Sequence, residues 1–139
     1  SLSVSPPVTI PVLPPDDPGY NNLKFLASIR NKISKEKIRQ TIQMVGLNPD
    51  SKKHVGKYSL GMRQRLGLAQ AIMEDPEILL LDEPMNGLDK HGVGEMRELF
   101  RSFADQGKTI IMANHSAEDI EVLCDTVHEM DLGVISRVK

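Results

Sequence analysis

The chain has 139 residues, 40% of them hydrophobic and 26% charged, and carries a formal net charge of -2. That length and balance suit a soluble globular domain with a real core and exclude wholesale disorder. The charge leaves no global electrostatic footprint for nucleic acid, which calls for a strongly basic domain.

Residues 1 to 18, SLSVSPPVTIPVLPPDDP, hold most of the nine prolines. Proline denies backbone donors and fixes φ, so this stretch reads as an extended or disordered leader. From Tyr20 the pattern turns helical. Leu23, Leu26 and Ile29 form one stripe, and Ile38, Ile42 and Val45 form a second, ended by Gly46 and the turn pair Asn48-Pro49. A basic run, Arg30, Lys32, Lys35, Lys37 and Arg39, reads as a solvated helix face because the interleaved isoleucines point elsewhere.

Ser59 precedes a third helix whose apolar positions Leu66, Ala69, Ile72 and Met73 run to the stop at Asp75-Pro76. Ile78 to Leu81 is an apolar run of strand length, expected to be a parallel strand covered on both faces. A fourth helix carries Met96, Leu99, Phe100 and Phe103 and closes at Gly107. Thr109 to Ala113 reads as a second buried strand. Ser116, with Glu118 and Asp119 in the first turn, starts a short fifth helix. The tail from Thr126 to Val138 reads as a weak hairpin around Leu132-Gly133.

The single cysteine, Cys124, has no disulfide partner within the chain and lies in an apolar stretch, so the expected compartment is the cytoplasm. No run reaches the ~18 to 20 apolar residues that cross a bilayer, and the N-terminus has no signal-peptide pattern, so membrane association is expected only through a partner.

The first apolar strand ends in Asp82-Glu83-Pro84, and open α/β sheets bind ligands just beyond the carboxyl ends of their strands. Two adjacent carboxylates there can serve a hydrated magnesium ion and a water attacking phosphate, or can simply make a surface turn. Asn86-Gly87-Leu88-Asp89 follows as a tight turn. His115 stands directly after the second strand, where it is either an exposed structural residue or a donor to a phosphate oxygen. His54, His91 and His128 have no such setting. Upstream, Tyr58-Ser59-Leu60-Gly61-Met62-Arg63-Gln64-Arg65-Leu66 joins a capping serine and an unobstructed glycine to a helix start. That is either an ordinary cap or an anion-binding tip suited to phosphate.

These pieces, in this order, resemble the ATP-binding-cassette (ABC) family of transporter ATPases from Gly19 to Lys139. YSLGMRQRL is similar to its signature motif, ILLLDEP to its Walker B motif, NGLD to its D-loop, and the histidine of ANHS to its switch histidine. The fold this implies is α/β: part of a P-loop NTPase of the ABC ATPase type, with a helical subdomain over 19–75 and the C-terminal part of the parallel-stranded core over 76–139. By the same resemblance Asp82 holds Mg2+ through water, Glu83 is the general base, and His115 contacts the γ-phosphate of ATP. Asp89 signals across a dimer interface. Ser59 and Gly61 grip ATP bound to a second ATPase protomer, arranged head to tail, and a transmembrane transporter subunit is the further partner. Leu60 stands where the family usually has glycine, which is similar to exporters of the antimicrobial-peptide or bacitracin-resistance type.

No G-x-x-x-x-G-K-S/T loop occurs in the sequence, so no lysine-bearing nest for the β- and γ-phosphates is found. An adenine-stacking aromatic residue and a Q-loop glutamine, which the resemblance implies before Gly19, do not stand there. The expectation is a truncated motor that alone neither binds ATP tightly nor hydrolyses it. Its remaining sheet should expose apolar faces and unpaired edges. Two other expectations stay open: a soluble ABC protein acting on ribosomes or DNA, and a non-catalytic module that completes an ATP site in trans.

Overall fold

The computed structural model describes residues 17–30 and 33–139, and of residues 28 to 30 the backbone alone. The Pro-rich segment up to residue 16, and Lys32 of the basic run, lie outside the described residues.

Two short helices open the chain. In α1 (Gly19–Arg30) the Asn22 amide donates to the carbonyls of Asp17 and Pro18, while Leu23 and Ala27 are buried. Helix α2 (Lys35–Met44) begins at Ser34, whose hydroxyl accepts from Lys37 N at 3.1 Å, with Glu36 favourably placed in the first turn. It ends where Gly46 takes φ +86° and the Gly46 and Leu47 amides return to the carbonyls of Gln43 and Ile42. This is the double hydrogen bond of a left-handed helix stop, which glycine makes without steric cost. Ile38 and Ile42 are buried, and Arg39 on the outer side pairs with Asp50 at 2.8 Å. The described part of the basic run is thus a solvated face.

Helix α3 (Leu60–Ile72) follows a single 3-10 turn and is buried along most of its length, including Leu66, Leu68, Ala69 and Ala71. It delivers the chain to β1 (Ile78–Asp82), which pairs in parallel with β2 (Thr109–Ala113) through the crossover helix α4 (Lys90–Asp105). The register sets Leu79 opposite Ile110, Leu81 opposite Met112 and Asp82 opposite Ala113. Met96, Phe100 and Phe103 of α4 join Leu79 and Leu81 in one buried cluster that also contains Leu23, Ile42 and Leu66. Helix α5 (Ala117–Leu123) is capped by Ser116. The hairpin of β3 (His128–Asp131) and β4 (Val134–Arg137) turns through Leu132 and Gly133, both at positive φ, as two-residue hairpins require.

The burial expected of the strands needs correction. Leu79 and Leu81 are buried, but Ile78 and Leu80 on the other face are only half-buried. The second strand is not buried either, for Ile110 and Met112 are half-covered and Ile111 is 57% exposed. Among the described residues this sheet has two strands, and the buried cluster forms on one side of it only. Among the described residues, Ile111 on that side is open to solvent.

Candidate functional site at the strand ends

Because β1 and β2 are parallel and in register, Asp82 and Ala113 close the sheet side by side, and the residues after each strand meet. Asp82 is exposed at this edge. Glu83 then turns the chain at φ +46°, a left-handed conformation that costs an L-residue about 1–2 kcal/mol. Such strain persists only where the surroundings impose it, and it concentrates at functional sites. Here three hydrogen bonds grip the peptide. Glu83 N donates to Ala113 O at 2.8 Å, continuing the ladder, and the Glu83 carbonyl accepts from Asn86 N at 3.1 Å and from Gln64 Nε2 at 3.0 Å. The carboxylate emerges toward His115, whose Nε2 lies 3.2 Å from Glu83 Oε1.

The loop carrying His115 is fixed from behind. Ser116 N donates to Asn114 Oδ1 at 2.8 Å, a local turn favoured by asparagine. Asn114 Nδ2 reaches Asp119 Oδ2 at 3.5 Å, and Arg97 of α4 donates through Nε to Asp119 Oδ1 at 2.9 Å. Asp119 is buried, so this ion pair clamps the start of α5 against α4 close behind the histidine.

On the other side of the turn lies the tip of α3. The Ser59 hydroxyl accepts from Met62 N at 3.1 Å, so it serves as a cap and keeps lone-pair capacity toward solvent. Gly61 is pressed against the turn from Asn86 to Asp89: a Cβ there would stand 3.0 Å from Gly87 O. A Cβ on Gly87, at φ +80°, would meet Leu60 Cγ at 2.5 Å. Leu60 is therefore seated on Gly87. Asp89 caps α4, its Oδ1 accepting from Gly92 N at 2.8 Å.

The structure thus brings Glu83 and His115 into contact with Asp82 beside them, and sets Gly61 against the turn that leads to Asp89. Three contributors were missed in the sequence. Gln64 lies at helical spacing between the buried Gly61 and Leu68, so a polar residue on a covered face was its only signal. Arg97 and Asp119 are charged residues whose pairing across 22 positions has no local signature.

The chemistry of the donors fits the ligands implied. Among the described residues no group of three or more His, Cys, Asp or Glu could cage a metal. Mg2+ needs no cage, since it keeps several waters and takes one or two carboxylates plus phosphate oxygens, which suits exposed Asp82. The free N–H groups of the α3 tip and the imidazole of His115 suit a terminal phosphate.

The architecture is that of an ABC-type ATPase over its signature-to-switch portion. The sequence model of the family described as ABC transporter matches residues 8–86. The chain belongs to the ABC transporter family. It is 42% identical over 116 residues to the bacitracin transport ATP-binding protein BcrA of Enterococcus faecalis, covering 83% of this chain and 38% of that protein. It is 39% identical over 108 residues to the lantibiotic transport ATP-binding protein SrtF of Streptococcus pyogenes, covering 78% of this chain and 47% of that protein. Among solved structures, cbiO1 from Clostridium perfringens, part of the ABC transporter complex cbiONQ, superposes over 96% of this chain and 55% of its own, with a TM-score of 0.77 and 25% identity. The chain spans roughly two-fifths to half the length of these curated relatives. Among the described residues, no helix is long and apolar enough to cross a membrane.

Proposed function

We propose that this chain carries the hydrolytic carboxylate and the signature surface of an ATP-driven motor for an ABC transporter, of the kind that exports antimicrobial peptides such as bacitracin. The observation that carries the reading is the 3.2 Å contact between Glu83 and His115 at the joined ends of two parallel strands.

In this reading Glu83 takes the proton of the attacking water. His115 donates to the γ-phosphate while orienting the Glu83 carboxylate. Asp82 would hold the Mg2+, which supplies charge neutralisation for phosphoryl transfer. Ser59 and Gly61 offer the α3 tip to the terminal phosphate of ATP bound by a second protomer, and Asp89 sits where that protomer would feel the turn. The β- and γ-phosphates still need a lysine-bearing loop, which these 139 residues do not supply and another segment or chain must. Docking on a transmembrane subunit would place the motor at the cytoplasmic face, and the peptide-exporter assignment follows the likeness to the bacitracin and lantibiotic transport ATP-binding proteins.

Mixing the chain with an ABC ATPase domain that carries the lysine loop tests this. The mixture is expected to hydrolyse ATP in a Mg2+-dependent way and the chain alone is not. Glu83→Gln should abolish turnover yet keep ATP-dependent association. Undiminished turnover by Glu83→Gln would sink the proposal.

A further inference from the structure

We propose that Gln64 is a positioning residue for Glu83: its amide, donated from α3 to the Glu83 carbonyl, holds that residue in the left-handed conformation that turns its carboxylate to His115. The inference rests on the reading of Glu83 as the general base.

Three hydrogen bonds hold the strained peptide, but two of them belong to local structure. The bond from Glu83 N to Ala113 O extends the strand pairing, and that from Asn86 N to Glu83 O closes the turn. Both are made by the strand ends and the turn themselves. The Gln64 bond, at 3.0 Å, comes from a different layer of the fold, 19 residues away in sequence. Gln64 is only 6% exposed and lies on a face of α3 otherwise made of Gly61, Leu68 and Ala71. An amide buried there costs free energy unless it is hydrogen-bonded, and an apolar side chain would pack without that cost. Its bond reaches the one residue of the turn with both a positive φ and a carboxylate aimed at the histidine.

The same helix touches the far end of the turn, where Leu60 and Gly61 abut Gly87. Helix α3 therefore holds the segment from Glu83 to Gly87 at both ends.

Two variants test the role. Gln64→Met keeps length and burial but removes the donor, and Gln64→Glu keeps the shape without it. Backbone and Cβ chemical shifts of Glu83 in the 139-residue chain report its φ. The mixture with the lysine-loop domain reports kcat and KM for MgATP. For Gln64→Met we expect the Glu83 shifts to move toward extended values while those of Leu66 to Ile72 stay. We also expect kcat to fall roughly ten- to hundred-fold with KM changed less than about twofold. Unchanged Glu83 shifts, or a loss expressed only in KM, would overturn the role. Should both variants unfold, Gln64 is a residue of the fold alone and the positioning role is likewise overturned. Glu83→Gln run in the same mixture keeps the two ideas apart. If it turns over normally the general-base reading fails, while the shift measurement still decides whether Gln64 holds Glu83.

Discussion

Arg97 of α4 and Asp119 of α5 form an ion pair in which both Nε and Nη2 address the same carboxylate oxygen, while the second oxygen faces the Asn114 amide. The Asp119 side chain is 7% exposed and that of Arg97 24%. Removing one charge from a fully buried pair costs about 3–5 kcal/mol. Arg97 keeps some water, and Glu118 stands 3.8 Å away as a weak substitute. Asp119→Asn is therefore expected to destabilise by about 2 kcal/mol, measured as a shift in the urea midpoint at constant m. Because Asn114 loses its anionic partner in the same step, increased exchange at the Ser116 amide should accompany the shift.

Strain at Glu83 makes the site costly to the fold. Glu83→Gly relieves the left-handed backbone and gives up only a contact with a 97% exposed imidazole, which is worth little. The variant should be more stable by about 1 kcal/mol and wholly inactive in the complemented ATPase assay. Lower stability would mean that Glu83 is held without strain.

The seat of Leu60 on Gly87 predicts a coupled pair. Gly87→Ala meets both the positive φ and the leucine side chain, and should cost at least about 1–2 kcal/mol. Adding Leu60→Gly clears the clash but leaves the backbone term, so the double variant should recover part of the loss. A double-mutant cycle on urea midpoints measures the difference, and strict additivity would show that the two residues do not touch in solution.

Lys108 gives a pH signature at the sheet's opposite end. Its Nζ lies 2.7 Å from Asp75 Oδ1, and this hydrogen bond holds the Asp75 carboxyl below its ordinary value of 3.8, against a smaller opposing effect of burial. A carboxylate whose pKa is lower in the folded state binds fewer protons there. Its stabilisation is fully present above 3.8 and is lost as pH falls through the lowered folded value. Asp75 is largely exposed, so the effect is small. Asp75→Asn, whose side chain also tolerates the φ of 53° found there, should be less stable than the parent at pH 6 and approach it in strong acid.

Among the described residues, Ile111 is exposed on the sheet face it shares with the half-buried Ile78 and Leu80. Apolar side chains open to solvent on one sheet face favour association. Ile111→Lys is expected to raise the monomer fraction in light scattering without lowering the thermal midpoint by more than a degree or so, since little burial is lost.

Helix starts and stops were legible residue by residue because they are made within one turn. Ser59 and Ser116 each accept a backbone N–H three positions on, and Gly46 and Gly107 end their helices at positive φ. The strand Ile78–Asp82, the carboxylates closing it and the histidine after the next strand were equally visible, as apolar runs ending in polar residues at the strand ends. Which layers meet was not. That Gln64 reaches Glu83, that Arg97 finds Asp119, and that Ile111 is left exposed among the described residues depend on how helices seat against strands dozens of residues away. Side-chain partners at that range are selected by packing of whole elements, and no local periodicity records the choice.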